Sequence, residues 1–237
     1  MKVIFAGPSL YGAEYDAGDV LVRGPAQMRD IERAIAEGAT AIGLIDGHYQ
    51  QVGAIWHKEI LFALSSGVAV FGAASMGALR AAECEPFGMI PIGDIATRYC
   101  SGELFDDADV ALTNGPAELG FPPLTEPMVD VEATITHLLA AGLIGDAMAR
   151  DIEAAARAIF FADRTEEAIF ERLNAPDLGR LYAAHRVSQK TRDALELLET
   201  LKTWDAPAAG APADWRFSNS PFWTDRAAPR SSSVTPL

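Results

Sequence analysis

The chain has 237 residues, with 33 acidic and 19 basic side chains and a formal net charge of -14. This length suffices for one or two domains with a sizeable core. A nucleic-acid-binding surface requires a basic face, so the acidic balance argues against a nucleic-acid partner. A protein or a small molecule is the partner that this charge favours.

Hydrophobicity gives no sign of a membrane segment, because no stretch approaches the ~20 apolar residues that a span needs. The first residues, MKVIFAG, predict a strand rather than a signal peptide, since the apolar run is short and no cleavage-like site follows it. Two cysteines, Cys84 and Cys100, are too few for a disulfide framework. We therefore expect a cytoplasmic protein with reduced thiols.

The first third of the chain alternates between predicted strands and predicted helices. Helical segments, each followed by a glycine that suits a left-handed helix end, occupy residues 25–37 and 55–66. Apolar, partly β-branched runs lie at residues 3–6, 19–22, 41–45 and 68–71. Such alternation predicts an α/β fold with a mostly parallel sheet covered by helices on both faces.

Beyond this core a short helix is predicted at residues 76–83, followed by irregular Gly/Pro-rich sequence. Pro127 suits the first helical position after a cap at Thr125 or Glu126. Helical periodicity then covers residues 128–141, 146–162 and 166–174, and from residue 205 the sequence is Ala/Pro/Ser-rich with scattered aromatics.

These changes in composition predict three regions. Residues 1–126 form the α/β core, residues 127–204 a helical region packed on it, and residues 205–237 an irregular or partly disordered tail. Because the tail carries Trp215, Phe217, Phe222 and Trp223, docking onto a partner is its alternative role.

Three predicted strand ends carry notable residues. Ligands of open α/β sheets bind at the carboxyl ends of the strands. There the chain has GPS at residues 7–9, DGH at 46–48 and GAAS at 72–75. We expect all three to face one crevice.

Ser75 lies in the sequence AASMG, which is similar to the nucleophile elbow G-x-S-x-G with alanine in the first glycine position. A sharp strand-to-helix turn needs small residues two before and two after the serine. The following helix would point the N–H groups of Met76 and Gly77 at a developing oxyanion. A serine that merely caps the helix explains the same pattern more simply.

A serine nucleophile needs a base. Lys58 lies on a largely apolar predicted helix, where desolvation would lower the proton affinity of its amine. A snorkelling lysine paired with a carboxylate is the competing interpretation. His57 projects to another face of the helix, and His48 has no matching ligand set.

No cofactor or metal is expected. His137 and His185 lack carboxylate or thiol partners at metal-ligand spacing. Cys84 lies between Glu83 and Glu85, whose charges oppose thiolate formation, so it is predicted to be an ordinary thiol. The glycines match neither a dinucleotide fingerprint nor a phosphate loop, which makes nucleotide binding a weak alternative.

At these residues the sequence resembles the TfuA-like family, the partners of YcaO enzymes in peptide thioamidation. The similarity continues weakly to residue 129, and neither the helical region nor the tail carries a matching motif. It is carried by VIFAGPSL at residues 3–10, IGLIDG at 42–47, WHKEI at 56–60 and FGAASMGALRAAE at 71–83.

The resemblance implies a role in sulfur supply to a YcaO enzyme that modifies the backbone of a ribosomally made peptide or a protein. It implies hydrolysis of the C-terminal thiocarboxylate of a ThiS-like sulfur-carrier protein, and help with binding of the peptide substrate to YcaO. The implied Ser-Lys pair corresponds by motif to Ser75 and Lys58. We rank Ser9, Asp46 and Arg80 as secondary site residues. The alternative is a non-catalytic adaptor that binds YcaO and its substrate.

Overall fold

Five parallel strands form one sheet in the order β2-β1-β3-β4-β5. A computed structural model describes residues 1–48, 53–206, 215–219 and 223. Every residue of β3 and β4 is buried, as is typical of parallel strands covered on both faces. The strands are β1 (Lys2–Phe5), β2 (Val20–Arg23), β3 (Ala41–Leu44), β4 (Ala69–Gly72) and β5 (Ile90–Pro91). The predicted α/β class is confirmed, and β5 is an addition that the sequence did not indicate.

Three helices, α1 to α3, cover one face of this sheet. Gly38 and Gly67 adopt φ of +92° and +77° after α1 and α2, which confirms the left-handed ends predicted there. These three helices are α1 (Asp30–Ala36), α2 (His57–Ser65) and α3 (Met76–Cys84). A fourth helix, α4 (Gly93–Ser101), lies where the sequence predicted irregular structure.

Five further helices follow, as the predicted helical region requires. They are α5 (Met128–Ala140), α6 (Asp146–Arg157), α7 (Glu166–Arg172), α8 (Pro176–Ala184) and α9 (Gln189–Thr203). Helices α5 to α8 share their own apolar cluster. Helix α9 instead buries Leu197, Leu198 and Leu201 against Ile4 and Phe71 on the second face of the sheet. The chain thus returns to the core, and the placement of α9 bears directly on the site.

Helix α5 starts at Met128, where the helical periodicity was predicted to begin, but the predicted cap is wrong. Pro127 itself occupies the N-cap position with φ of -72° and ψ of 146°, and no described side chain caps the helix. Thr125 Oγ1 accepts a hydrogen bond from the Thr113 N–H at 2.8 Å instead. Glu126 is buried and forms an ion pair with Arg186 at 2.7 Å. Both proposed capping residues are therefore held by tertiary contacts.

Aromatic residues of the tail pack on the protein's own surface. The ring of Phe62 on α2 lies 5.6 Å from that of Phe217 and 5.4 Å from that of Trp223, measured between centroids. Trp215 contacts Phe87 at 5.7 Å. Phe222 lies outside the described residues. No helix within the described ranges is long and apolar enough to cross a membrane.

Candidate active site

A cavity of about 590 Å³ opens at the carboxyl-terminal edge of the sheet. It brings together residues that follow β1, β3 and β4, as expected for parallel strands whose ends share one edge. Its polar and charged lining includes Asp46, His48, Ser75, Arg80, Asn114 and Lys190.

Ser75 lies in a strained strand-to-helix turn. The preceding residue, Ala74, has φ of +64°, a left-handed conformation that costs a non-glycine residue about 1 kcal/mol or more. Although Ser75 occupies the N-cap position of α3, its side chain makes no capping hydrogen bond. Its hydroxyl forms no hydrogen bond with any described residue and lies in the cavity lining. The simpler explanation of Ser75 as a helix cap therefore does not describe this turn.

Gly77 allows α3 to pass very close to the sheet. A Cβ atom at this position would lie 1.8 Å from the carbonyl oxygen of Leu44. The N–H of Gly77 donates to the carbonyl of Ile45 at 3.0 Å, so the predicted role of Gly77 as an oxyanion donor is wrong. The N–H of Met76 has no acceptor among the described residues. One of the two expected donors thus remains available.

Asp46 is a buried carboxylate that organises the loop after β1. It is 1% exposed, and its Oδ2 accepts hydrogen bonds from the N–H groups of Gly7 at 2.8 Å and Ser9 at 3.0 Å. Its Oδ1 accepts from Ser9 Oγ at 2.7 Å. With both of its carboxylate oxygens engaged, Asp46 holds the loop and supplies negative charge to the cavity. The hydroxyl and the N–H of Ser9 are therefore both bonded to Asp46.

The structure does not bring Lys58 to Ser75. Lys58 is half-buried at the start of α2, and its Nζ lies 5.5 Å from the ring centroid of Phe217 and 5.8 Å from that of Trp223. It is not part of the cavity lining, and no hydrogen bond joins it to Ser75. The buried polar residue of α2 is instead Glu59, which is 1% exposed. His57 lies at the surface and pairs with Glu83 at 2.7 Å.

Lys190 supplies the cavity with a buried amine that the sequence reading missed. It is 2% exposed, and its Nζ donates to the carbonyl of Val110 at 2.9 Å. Burial lowers the pKa of Lys190, whereas the carboxylates of Asp46 and Asp130 act in the opposite direction. Lys190 and Ser75 line the same cavity without a hydrogen bond between them, and together they supply the amine of lowered pKa and the hydroxyl that a Ser-Lys pair requires.

A sequence signal for Lys190 does exist. Lys190 lies four residues before Ala194, seven before Leu197 and eleven before Leu201, so it shares the apolar stripe of α9. A charged residue inside such a stripe is either paired or functional. The position of Lys190 on this stripe is evident only when residues 189–203 are read as a helix.

Arg80 adds positive charge to the cavity wall. Its guanidinium donates to Glu83 at 2.6 Å, and its buried Nε has no hydrogen-bond partner among the described residues. Because Arg80 lines the cavity, its positive charge favours an anionic group there. The thiol of Cys84 lies farther along α3. Its pKa is raised to about 11, mainly by burial and secondly by the charge of Glu83. Such a thiol is a poor nucleophile.

Metal ligation finds no support in the described part of the chain, which holds no group of three or more His, Cys, Asp or Glu side chains suited to an ion.

A family model, described as TfuA-like protein, matches residues 46–165. The chain belongs to the TfuA-like family. This family is associated with YcaO-dependent thioamidation. The comparison with curated proteins finds no match.

The matched range defines which site residues the family accounts for. It includes Asp46, Ser75 and Arg80, and also Lys58. Ser9 precedes it and Lys190 follows it. The cavity of this TfuA-like protein is therefore completed by a helix outside the matched segment.

Proposed function

We propose that this TfuA-like protein hydrolyses a thiocarboxylated ThiS-like sulfur-carrier protein and so supplies sulfide to a YcaO enzyme. The observation that carries the proposal is the shared cavity of Ser75, whose hydroxyl makes no capping bond, and Lys190, a buried amine of lowered pKa. Lys190 replaces Lys58 as the proposed base. A cytoplasmic location stays a prediction.

The proposed reaction begins when the neutral amine of Lys190 takes the proton of Ser75 Oγ. The resulting alkoxide attacks the thiocarboxylate carbon, and the N–H of Met76 donates to the oxyanion that forms. The C–S bond then breaks, and the sulfur takes the proton from Lys190 and leaves as hydrosulfide. Water next gives a proton to Lys190 and attacks the acyl-serine, the ester bond to Ser75 breaks, and Lys190 returns the proton to Ser75 Oγ. The carrier leaves as a carboxylic acid, whose proton passes to the hydrosulfide. The sum is thiocarboxylate plus water giving carboxylate plus hydrogen sulfide.

Charge in the cavity suits this sequence of steps. The thiocarboxylate is an anion, and the guanidinium of Arg80 in the cavity lining supplies positive charge for its charged end. Asp46 stabilises the ammonium form of Lys190 after the first proton transfer. Because hydrosulfide is a good leaving group, the site does not have to protonate an amine.

The experiment measures sulfide release from a thiocarboxylated carrier by wild type, Ser75→Ala and Lys190→Met. We expect each variant to lose at least a hundredfold in rate, comparable to the loss of an oxyanion donor at ~10²–10³. Lys58→Met is the matched control, since it makes the same lysine-to-methionine change outside the cavity, and it should retain the wild-type rate.

Two results would contradict the proposal. Unchanged sulfide release by Ser75→Ala would exclude the serine as nucleophile and leave the adaptor as the better description. Loss of activity in Lys58→Met, with activity retained in Lys190→Met, would identify Lys58 on α2 as the base. Thermal unfolding of each variant separates loss of chemistry from loss of fold.

The association with YcaO and its peptide is a second part of the proposal. Pull-down of YcaO and titration of the peptide, with and without Ser75→Ala, test it independently of sulfide release. Retained binding by the inactive variant would mean that both roles coexist in one chain.

A further inference from the structure

A second, smaller groove adjoins the cavity. It has a volume of about 250 Å³ and lies at the carboxyl ends of β1 and β2. Phe121 lines both this groove and the cavity that contains Ser75. The two hollows are thus neighbours that share Phe121 in their linings.

Phe121 is held at this boundary in an unusual conformation. Its φ is +61°, which costs a bulky residue stabilisation unless its surroundings enforce it. Its N–H donates to the carbonyl of Pro116 at 3.2 Å, and its ring packs 3.4 Å from the Cβ position of Gly24. On the cavity side, His48 meets the ring edge-on at 6.3 Å. Backbone strain of this kind is concentrated at functional sites.

Two tyrosines beside the groove are exposed. Tyr11 is 48% exposed and Tyr15 is 42% exposed, and both line the groove. Leu119, just before Phe121, is 65% exposed. Tyrosines provide large contact area together with a hydrogen-bonding tip, and they are enriched where proteins bind peptides and other proteins. The arginine of the groove, Arg23, is already paired with Glu37.

We propose that this groove binds the extended C-terminal tail of the protein substrate, with Tyr11 and Tyr15 as its main contacts. This inference rests on the proposed function. A thiocarboxylate at Ser75 is the end of a chain, so the residues before it must leave the cavity. The groove offers them an apolar path across Phe121, and it starts where the cavity ends.

Kinetics with short and long substrates test this path. The substrates are a dipeptide thiocarboxylate and a heptapeptide thiocarboxylate with the same terminal residues. The dipeptide fills only the cavity, whereas the heptapeptide extends into the groove. We expect wild type to show a kcat/KM about tenfold higher for the heptapeptide, because a well-buried aromatic contact contributes more than 1 kcal/mol. In the double variant Tyr11→Ala/Tyr15→Ala the ratio should fall toward one.

The matched control is Leu143→Ala/Met148→Ala, which removes two comparably exposed apolar side chains that line neither hollow. It should keep the wild-type ratio. Equal kcat/KM for both substrates in wild type, or an unchanged ratio in the tyrosine variant, would contradict binding of the substrate tail in the groove. Neither result would contradict the proposed hydrolysis.

Failure of the proposed function has a different outcome, namely no hydrolysis of either substrate. Binding of the fluorescent heptapeptide carboxylate, measured by anisotropy, then still decides about the groove. About tenfold weaker binding by the tyrosine variant than by wild type would support it. Equal binding by both would refute it.

Discussion

Replacing Gly77 by alanine probes how tightly α3 must pass the sheet. A Cβ atom there would lie 1.8 Å from the oxygen and 2.5 Å from the carbon of the Leu44 carbonyl, and 3.1 Å from the nitrogen of Ile45. Carbon–oxygen contacts rarely fall below about 3.3 Å, so the start of α3 must move away by about 1.5 Å. The neighbours are backbone atoms, and no change of rotamer relieves the clash.

Three energies decide the magnitude of the effect. Alanine is favoured over glycine within a helix by about 1 kcal/mol. Overpacking costs about 1–3 kcal/mol, at the upper end where backbone atoms clash. The displacement also breaks the hydrogen bond from Gly77 to Ile45, worth about 1 kcal/mol. The clash outweighs the propensity, and we expect the free energy of unfolding to fall by about 2–3 kcal/mol.

Catalysis should suffer along with stability. Ser75 and Met76 lie directly before Gly77, so a shift of α3 moves the proposed nucleophile and the proposed oxyanion donor together. A misplacement of about 1 Å can cost ~10²-fold in rate. Urea unfolding followed by circular dichroism gives the stability, and sulfide release gives the rate.

Gly145→Ala is the matched control. Its added Cβ atom meets no heavy atom of the described residues within 4 Å, and its φ is -102°, so sulfide release should stay near the wild-type rate. Because Gly145 is the N-cap of α6, where alanine is less favourable than glycine, its free energy of unfolding should fall by no more than about 1 kcal/mol. The reasoning would be refuted if Gly77→Ala unfolded within about 0.5 kcal/mol of wild type, the range of ordinary surface substitutions, and released sulfide at the wild-type rate.

Three further predictions concern charges and the tail. Asp46→Asn removes a carboxylate that raises the pKa of Lys190, so the acid limb of the kcat/KM profile for sulfide release should shift to lower pH; an unshifted limb would contradict Lys190 as base. Burial raises the pKa of Glu59 from 4.5 to about 7, so the folded chain holds a proton that the unfolded chain releases. Stability should therefore fall by up to about 3 kcal/mol as the pH rises from 4.5 to 7, and urea unfolding of Glu59→Gln should show a flatter profile. An equally steep profile in that variant would assign the effect to other groups. Trp223, which is 4% exposed against Phe62, should anchor the tail, so Trp223→Ala should speed hydrogen exchange in α2; unchanged exchange would show that the contact contributes nothing.

Local pattern predicted much of the core but not α4 or β5. Strands β1 to β4 and helices α2, α3 and α5 appeared within a few residues of their places, because each carries its own periodicity. Helix α4 begins at Gly93, and its Ile95 N–H is capped by Asp193, 98 residues farther along the chain. A helix start stabilised from α9 leaves no local signature.

The candidate site likewise contains residues that local sequence patterns predicted and one residue that they did not. Small residues around Ser75 and polar residues after β1 and β3 are local features. From them the sequence determined the candidate nucleophile, the loop carboxylate Asp46 and the edge of the sheet at which they meet. The proposed base was not predicted from local pattern. Apolar neighbours along α2 suggested that Lys58 is buried, yet its side chain points to the tail aromatics, because which face of a helix meets the core depends on the packing of the whole layer. Only the tertiary structure, by laying α9 across the sheet, places Lys190 in the cavity with Ser75.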